Sequence, residues 1–195
     1  MIFEKLCIEA FDERNISKDI HEMNDHIKSL LVNAPPSHEI PFEVLQEIRR
    51  KGGGLLESQP YSEKAENRLI NQDNKKVTIR IFNNDTPNFV YLHIHGGGHC
   101  IGAADMQDQS LEKISNDLNC VVVSVEYRLA PANPYPAAPD DCEAAAIWLI
   151  ENSKSQFNTE KIVIGGESAG ANLSAVTLQR LKSKGLLGNV KGANL

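Results

Sequence analysis

The chain has 195 residues, of which 41% are hydrophobic and 24% are charged, and its formal net charge is −6 at pH 7. This length and composition are typical of one soluble globular domain with a sizeable core, which argues against a disordered chain. Lys and Arg are scattered along an acidic sequence, and no apolar run reaches the about 18 residues of a membrane helix. We therefore expect neither a nucleic-acid partner nor a membrane span.

The cysteines and the start of the chain favour a cytoplasmic location. Cys7, Cys100, Cys120 and Cys142 are widely spaced, with no C-x-x-C pair and no His at metal-ligand spacing, as is typical of reduced thiols. Residues 1–10 lack the basic segment and the apolar run of a secretion signal. The sequence predicts a cytoplasmic protein without a metal centre.

Residues 1–60 are predicted to form a helical layer. Apolar residues recur at steps of three and four over residues 20–31, before Pro35 breaks the pattern. A second short helix is predicted to begin at Pro41 and to end at a run of three glycines. Because the apolar faces of these helices need a partner, we expect the layer to pack on residues 61–195.

Residues 61–195 predict an α/β core. Two half-buried strands come first, joined by a turn at residues 72–74, and buried strands then alternate with helices, as in a parallel sheet covered by helices. The predicted strands cover residues 67–71, 77–82, 89–94, 121–125 and 162–164, and the predicted helices cover residues 105–119, 137–151 and 168–184. A further strand is predicted to begin at residues 190–195.

A glycine-centred turn, residues 166–170, follows the predicted strand at 162–164 and has the pattern G-x-S-x-G. Gly166 and Gly170 allow the sharp strand–turn–helix elbow that exposes a serine hydroxyl, here Ser168, as a nucleophile. The N–H of Ala169 lies at the start of the next helix, where unpaired donors and the helix dipole favour an oxyanion. This turn predicts part of a serine-hydrolase site.

A second glycine turn, His95-Gly96-Gly97-Gly98, follows the predicted strand at 89–94 and supplies a complementary part. A tetrahedral intermediate needs more than one hydrogen-bond donor, and bare backbone at Gly97 and Gly98 can approach the substrate oxygen. The two turns together outline half of a hydrolase site.

The other half is absent from the sequence, because residues 169–195 contain no Asp, Glu or His. A stand-in base among His93, His95 and His99 is conceivable, although such residues are more often structural. Asp140 and Asp141 precede Ser168 and are interpreted as anchors of the helix that begins nearby.

Two other interpretations of the serine turn remain. Ser168 could be an ordinary serine at a helix start, which is the commonest role of serine in that position. A phosphate-binding loop is less consistent with the sequence, since Ala171 and Asn172 stand where that motif needs Lys and Ser or Thr.

The order of these motifs resembles the hormone-sensitive-lipase-like group of α/β-hydrolase esterases. Beyond the two turns, the matching residues are Gly102, Tyr127-Arg128-Leu129-Ala130-Pro131, Pro136-Ala137 and Asp141-Cys142. The resemblance implies a mostly parallel α/β-hydrolase sheet with flanking helices, a helical cap over residues 1–60 and a core over residues 61–195 that lacks the last strands and helices. It also implies hydrolysis of a small-molecule carboxylic ester without a cofactor.

The resemblance assigns roles to individual residues. It implies Ser168 as the nucleophile and Gly97, Gly98 and Ala169 as the oxyanion hole. The residues that it implies as supporting the site are His95, Gly96, Gly166 and Gly170. The sequence departs from the family pattern in having Ala132 where Glu is usual and Glu167 where Asp is usual, and the family's acid and histidine follow the serine at a distance that this sequence does not reach.

Two alternatives to a working esterase stay open. The chain could be a non-catalytic, small-molecule-binding or receptor-like homologue, or it could be a piece of a longer esterase with no separate role. The sequence further predicts an exposed sheet edge beside residues 162–164, which would favour self-association or the docking of a complementing chain.

Overall fold

The computed structural model describes residues 12–32, 34–52 and 59–195, which form one six-stranded sheet with flanking helices. The strands are β1 (Glu66–Gln72), β2 (Lys75–Phe82), β3 (Val90–Ile94), β4 (Val121–Glu126), β5 (Ile162–Gly166) and β6 (Val190–Asn194). The helices are α1 (Lys18–Leu31), α2 (Phe42–Arg50), α3 (Asp108–Leu118), α4 (Ala137–Phe157) and α5 (Ala169–Ser183). None of the described helices is long and apolar enough to cross a membrane.

The strand order in the sheet is β1-β2-β4-β3-β5-β6. β1 and β2 form an antiparallel hairpin, whose two-residue turn at Asp73 and Asn74 takes the positive φ values that such tight turns need. β2 pairs antiparallel with β4, and the remaining neighbours pair in parallel. The sheet is therefore mostly parallel, as predicted.

The core lies on both faces of the central strands. β3, β4 and β5 are almost continuously apolar because helices cover both of their faces. Helices α4 and α5 contribute to the larger buried cluster on one face, and α3 contributes Leu111 to a smaller cluster with Phe82 and Val122 on the other. This three-layer packing holds the ends of the central strands in fixed positions.

The register of β3 and β5 positions the two glycine turns. The strands are parallel neighbours, and Ile94 pairs with Gly166 at their carboxyl ends. The chain leaves β3 into the turn at residues 95–98 and leaves β5 into the turn at residues 166–170. The two turns therefore lie side by side at the edge where open α/β sheets commonly bind ligands.

The described elements confirm the predicted α/β order, with three differences. The helix predicted from residue 105 begins at Asp108, and the helix predicted over residues 137–151 continues to Phe157. The open sheet edge was predicted beside residues 162–164, and that prediction is wrong because β6 pairs along β5. The open edge on this side is the outer edge of β6.

The third difference concerns the N-terminal helices. α1 and α2 form, but the expectation that their apolar faces pack on the core is not met. Ile20 and Met23 of α1 are 52% and 59% exposed, and α2 contacts the core through polar side chains. Some predictions fall outside the described residues. They concern Cys7, the absence of a secretion signal at residues 1–10, and the last two glycines of the run predicted to end α2.

Candidate active site

Ser168 occupies a strained elbow between β5 and α5. Its backbone has φ 55° and ψ −120°, a left-handed conformation that a residue with a side chain adopts only when its surroundings impose it. Gly170 shows how tight those surroundings are, because a methyl group there would lie 1.9 Å from the carbonyl oxygen of Ile94. A methyl group at Gly166 would lie 2.0 Å from the same oxygen. The two glycines let the elbow press against the end of β3, which leaves Ser168 exposed.

The glycine turn after β3 is equally constrained. Gly97 has φ 122°, and a methyl group there would lie 2.0 Å from the carbonyl oxygen of Ile101. The N–H groups of Cys100 and Ile101 donate to the Gly97 carbonyl and close the turn. Only glycine satisfies both the conformation and the close approach at this position.

Three backbone donors remain unused beside Ser168. Among the described residues, no acceptor is paired with the N–H groups of Gly97, Gly98 and Ala169. Ala169 is the first residue of α5, so its N–H belongs to the unpaired first turn of a helix. Gly97, Gly98 and Ser168 line one cleft of about 380 Å³, a volume within the usual range for small-molecule sites.

His95 and Gly96 form the base of this cleft. The His95 ring is buried, and its Nδ1 lies 2.8 Å from the carbonyl oxygen of Gly96, to which it donates. Burial lowers the pKa of His95 to about 4, so the ring is neutral at pH 7 and its Nε2 carries no proton. Tyr127 stacks on the ring with centroids 4.1 Å apart and donates its hydroxyl to the His95 carbonyl at 2.8 Å. These contacts support the interpretation of His95 as a structural residue.

Glu167 links the two glycine turns, which the sequence did not predict. Its Oε1 accepts the Gly96 N–H at 2.6 Å and the Gln107 side-chain amide at 2.5 Å. Its Oε2 accepts from Nε2 of His93 at 3.1 Å, and Nδ1 of His93 lies 2.9 Å from the Ser124 hydroxyl. Burial works to raise the pKa of Glu167, but the hydrogen bonds from His93, Gly96 and Gln107 keep it below its ordinary value.

A sequence signal for this network existed. His93 and Ser124 are polar residues inside otherwise apolar, buried strands, and they are direct partners in the β3–β4 register. Buried polar side chains need hydrogen-bond partners, so their presence in these strands indicated a polar contact at the carboxyl edge of the sheet. The residue that completes it, Glu167, stands at the position where the sequence departs from the family pattern.

The two aspartates at the start of α4 connect it to its surroundings. Asp141 accepts the Arg128 backbone N–H at 2.9 Å and pairs with the guanidinium of the same residue at 2.8 Å. Asp140 pairs with Arg180 of α5 at 2.8 Å. The predicted anchoring is therefore present, but it works through ion pairs, because no side chain caps the N-terminus of α4.

No base stands next to Ser168 in the described part of the chain. No described side chain forms a hydrogen bond with its hydroxyl. His93 is held by Glu167 and Ser124, and His99 lies outside the lining of the cleft. Across the described ranges, no group of three or more His, Cys, Asp or Glu side chains could hold a metal ion.

Helix α2 reaches the cleft through one described residue, Arg49. The side chain of Gln46 bonds to both backbone groups of Gly102, donating to its carbonyl and accepting from its N–H, at 2.8 Å each. Arg50 pairs with Asp105 at 3.5 Å. These contacts hold α2 against the segment after the glycine turn and bring Arg49 into the cleft lining.

Comparison with known proteins found one matching family model and several similar proteins. The family model described as alpha/beta hydrolase fold matches residues 91–195. An arylesterase of Saccharolobus solfataricus is 36% identical over 138 residues, which is 68% of this chain and 45% of that protein. Lipase 2 of a Moraxella species is 36% identical over 122 residues, which is 58% of this chain and 28% of that protein.

Solved structures agree with these relatives. The hyperthermophilic esterase of Pyrobaculum calidifontis superposes with a TM-score of 0.75 at 25% identity, covering 91% of this chain and 57% of that one. A solved arylesterase gives a TM-score of 0.70 at 28% identity and covers 88% of this chain and 56% of that one. The chain spans less than half the length of the Saccharolobus arylesterase and of the Moraxella lipase. The family model, the relatives and the sheet together show that the chain belongs to the α/β-hydrolase fold family, as its resemblance to hormone-sensitive-lipase-like esterases implied.

Proposed function

We propose that this chain provides the nucleophile and oxyanion hole of a carboxylic ester hydrolase. The Ser168 hydroxyl attacks the ester carbonyl, the alcohol leaves, and water then releases the acyl group from the serine. The N–H groups of Gly97, Gly98 and Ala169 stabilise the negative oxygen of each tetrahedral intermediate. The observation that carries the proposal is the set of three unpaired N–H groups beside an exposed serine in a left-handed elbow.

The proton of the Ser168 hydroxyl needs a base, and residues 169–195 contain no Asp, Glu or His. Within this proposal the acid and the histidine come from outside residues 1–195, and a complementing polypeptide can supply them. The outer edge of β6 is the suggested docking site, because β6 pairs with β5 on one side and with no described strand on the other. By itself the chain should hydrolyse short activated esters only slowly.

The experiment is labelling of Ser168 by a fluorophosphonate probe. The purified chain is compared with the same chain co-expressed with the C-terminal part of a full-length esterase homologue, each with a Ser168→Ala control. We expect Ser168-dependent labelling in the complex and little without it. Fast hydrolysis of p-nitrophenyl acetate by the chain alone, abolished by Ser168→Ala, would contradict the need for a complementing chain.

A second candidate function is non-catalytic binding of a small molecule. The observation that favours it is the absence of any described side chain hydrogen-bonded to the Ser168 hydroxyl. Labelling that stays absent in a demonstrably formed complex, together with ligand binding that Ser168→Ala leaves intact, would support this alternative.

The proposal extends to organisation and location. Residues 1–60 are assigned as a cap over the cleft and residues 61–195 as the catalytic core, with support from the contacts of Gln46 with Gly102. A cytoplasmic location is supported by Cys100, Cys120 and Cys142, which are free thiols. Limited proteolysis that releases a folded core without the first 60 residues would test the boundary.

A further inference from the structure

Arg49 is a cation in the cleft with no carboxylate partner among the described residues. It lies near the end of α2, is half-buried and lines the same cleft as Ser168. The next two cations of the chain are both paired, Arg50 with Asp105 at 3.5 Å and Lys51 with Glu47 at 2.6 Å. Among the described residues, no carboxylate lies within ion-pair distance of Arg49. Arg49 therefore borders the space where a ligand would bind, and no described carboxylate neutralises its charge.

The position of Arg49 is set by its helix. Gln46 lies one turn earlier on α2 and bonds to both backbone groups of Gly102 at 2.8 Å. Residues three apart on a helix share a face, so the same contact that fixes Gln46 directs Arg49 toward the cleft. Arg49 thus borders the cleft from a helix that Gln46 holds against the segment after the glycine turn.

The remainder of the cleft offers no competing partner for that charge. Ile101, Ala103 and Met106 present apolar surface. Glu167 is the only carboxylate among the lining residues, and both of its oxygens already accept hydrogen bonds, from Gly96, Gln107 and His93. A largely apolar cleft bordered by one guanidinium that no described carboxylate pairs is suited to a ligand with an apolar body and one anionic end.

We propose that Arg49 makes the cleft selective for esters that carry a carboxylate, such as half-esters of short dicarboxylic acids. The inference rests on the proposed function, because it assumes that an ester occupies the cleft beside Ser168. The planar guanidinium binds a carboxylate through two parallel hydrogen bonds, a geometry that a lysine cannot reproduce. The apolar wall then contacts the carbon chain between the carboxylate and the ester.

The test is binding of two matched probes to the full chain, followed by NMR. The probes are monoethyl glutarate and the same ester with its carboxylate replaced by a carboxamide. We expect the anionic ester to bind about tenfold more tightly, with shifts at the amides of the two glycine turns and with a preference that weakens as salt rises. The ester signals of the probe report any hydrolysis in the same sample.

Three variants assign the preference. Arg49→Gln should bring the affinity ratio of the two probes to about one, and Arg49→Lys should keep part of it. Lys51→Gln is the matched control, since it removes a neighbouring cation directly after the same helix and should leave the ratio unchanged. Circular dichroism and a melting curve show that each variant is folded.

Equal affinities of the wild-type chain for the two probes would overturn the inference, and so would a preference that survives Arg49→Gln. Absence of saturable shifts in the cleft with either probe would overturn it as well. Failure of the proposed function looks different, because a carboxylate preference with no Ser168-dependent chemistry in any complex refutes the hydrolase and leaves the selectivity of Arg49 standing.

Discussion

Glu167 connects the two glycine turns through its side chain. It directly precedes the nucleophile candidate Ser168, yet its carboxylate holds the Gly96 N–H of the other turn. With that donor occupied, the N–H groups of Gly97 and Gly98 are the ones left for a substrate oxygen. The shorter side chain of an Asp would have to span the same gap with one carbon fewer, so Glu at this position is matched to His93 and Gly96 here.

Replacing Glu167 with Gln tests that role. The amide keeps the shape but loses the charge that accepts from His93, Gly96 and Gln107. The Glu167 side chain is 47% exposed, so solvent screening reduces the loss, and we expect the free energy of unfolding to fall by about 1 kcal/mol. Urea denaturation measures this fall.

The pH dependence of that stabilisation has a definite sign. The pKa of Glu167 is held below its ordinary value, so its contribution is present above the unfolded-state pKa and disappears as pH falls through the folded-state pKa. The difference in stability between wild type and Glu167→Gln should therefore shrink in acid. Glu160→Gln, at an exposed glutamate without a described partner, is the control. Equal effects of the two substitutions would refute the role of Glu167.

The lowered pKa of His95 should make the free energy of unfolding sensitive to acid in a second pH range, above the range in which Glu167 acts. Burial lowers its pKa from 6.5 to about 4, so between these pH values His95 is protonated in the unfolded chain and neutral in the folded chain. Stability should fall by about 2 kcal/mol between pH 7 and pH 5 from this residue alone. His95→Asn should remove that part of the slope, and His26→Asn, at an exposed histidine, should not. Other titrating groups are common to all three proteins, so the differences isolate His95.

At the scale of elements, the parallel pairing of β3 with β5 does most to form the site. Both strands are short apolar runs, which the sequence predicts well, and the turns after them carry the diagnostic glycines. The adjacency of β3 and β5 does not follow from chain order, because α3, β4 and α4 lie between the two strands in the sequence. Sequence periodicity could not supply the position of β6 against β5, the long-range contacts of Glu167 or the place of Arg49 in the cleft lining, because these depend on residues far apart in the chain.

Gly170 offers a test of how tightly the elbow is packed. A methyl group there would lie 1.9 Å from the Ile94 carbonyl oxygen, and backbone at the end of a central strand cannot move aside cheaply. Gly170→Ala should destabilise the fold by about 3 kcal/mol or more. Gly188→Ala is the matched control, since a methyl group there meets nothing within 4 Å, and its effect should stay within about 0.5 kcal/mol. Similar melting temperatures for both variants would show that the elbow is looser than described.

For the whole molecule, the described surface leaves two features without partners. α1 exposes Ile20, Met23 and Leu31 to 52%, 59% and 52%, and β6 presents an unpaired outer edge. The family resemblance accounted for the sheet and the elbow from local motifs alone. The family resemblance did not predict these exposed surfaces. Exposure depends on which distant segments pack against a surface, and no local motif encodes that packing.

The outer edge of β6 should make the chain associate with itself. An open strand edge pairs readily with another strand, and Ala193 on this strand is small, uncharged and exposed, while Lys191 is the one charged residue of β6. Sedimentation velocity should show association that rises with concentration and that Ala193→Lys weakens, because a charge on an edge strand opposes strand pairing. Asn83→Lys adds the same charge in an exposed position after β2 and should leave association unchanged. Association that persists in Ala193→Lys but is lost in Met23→Glu would assign it to the apolar face of α1 and refute the role of β6.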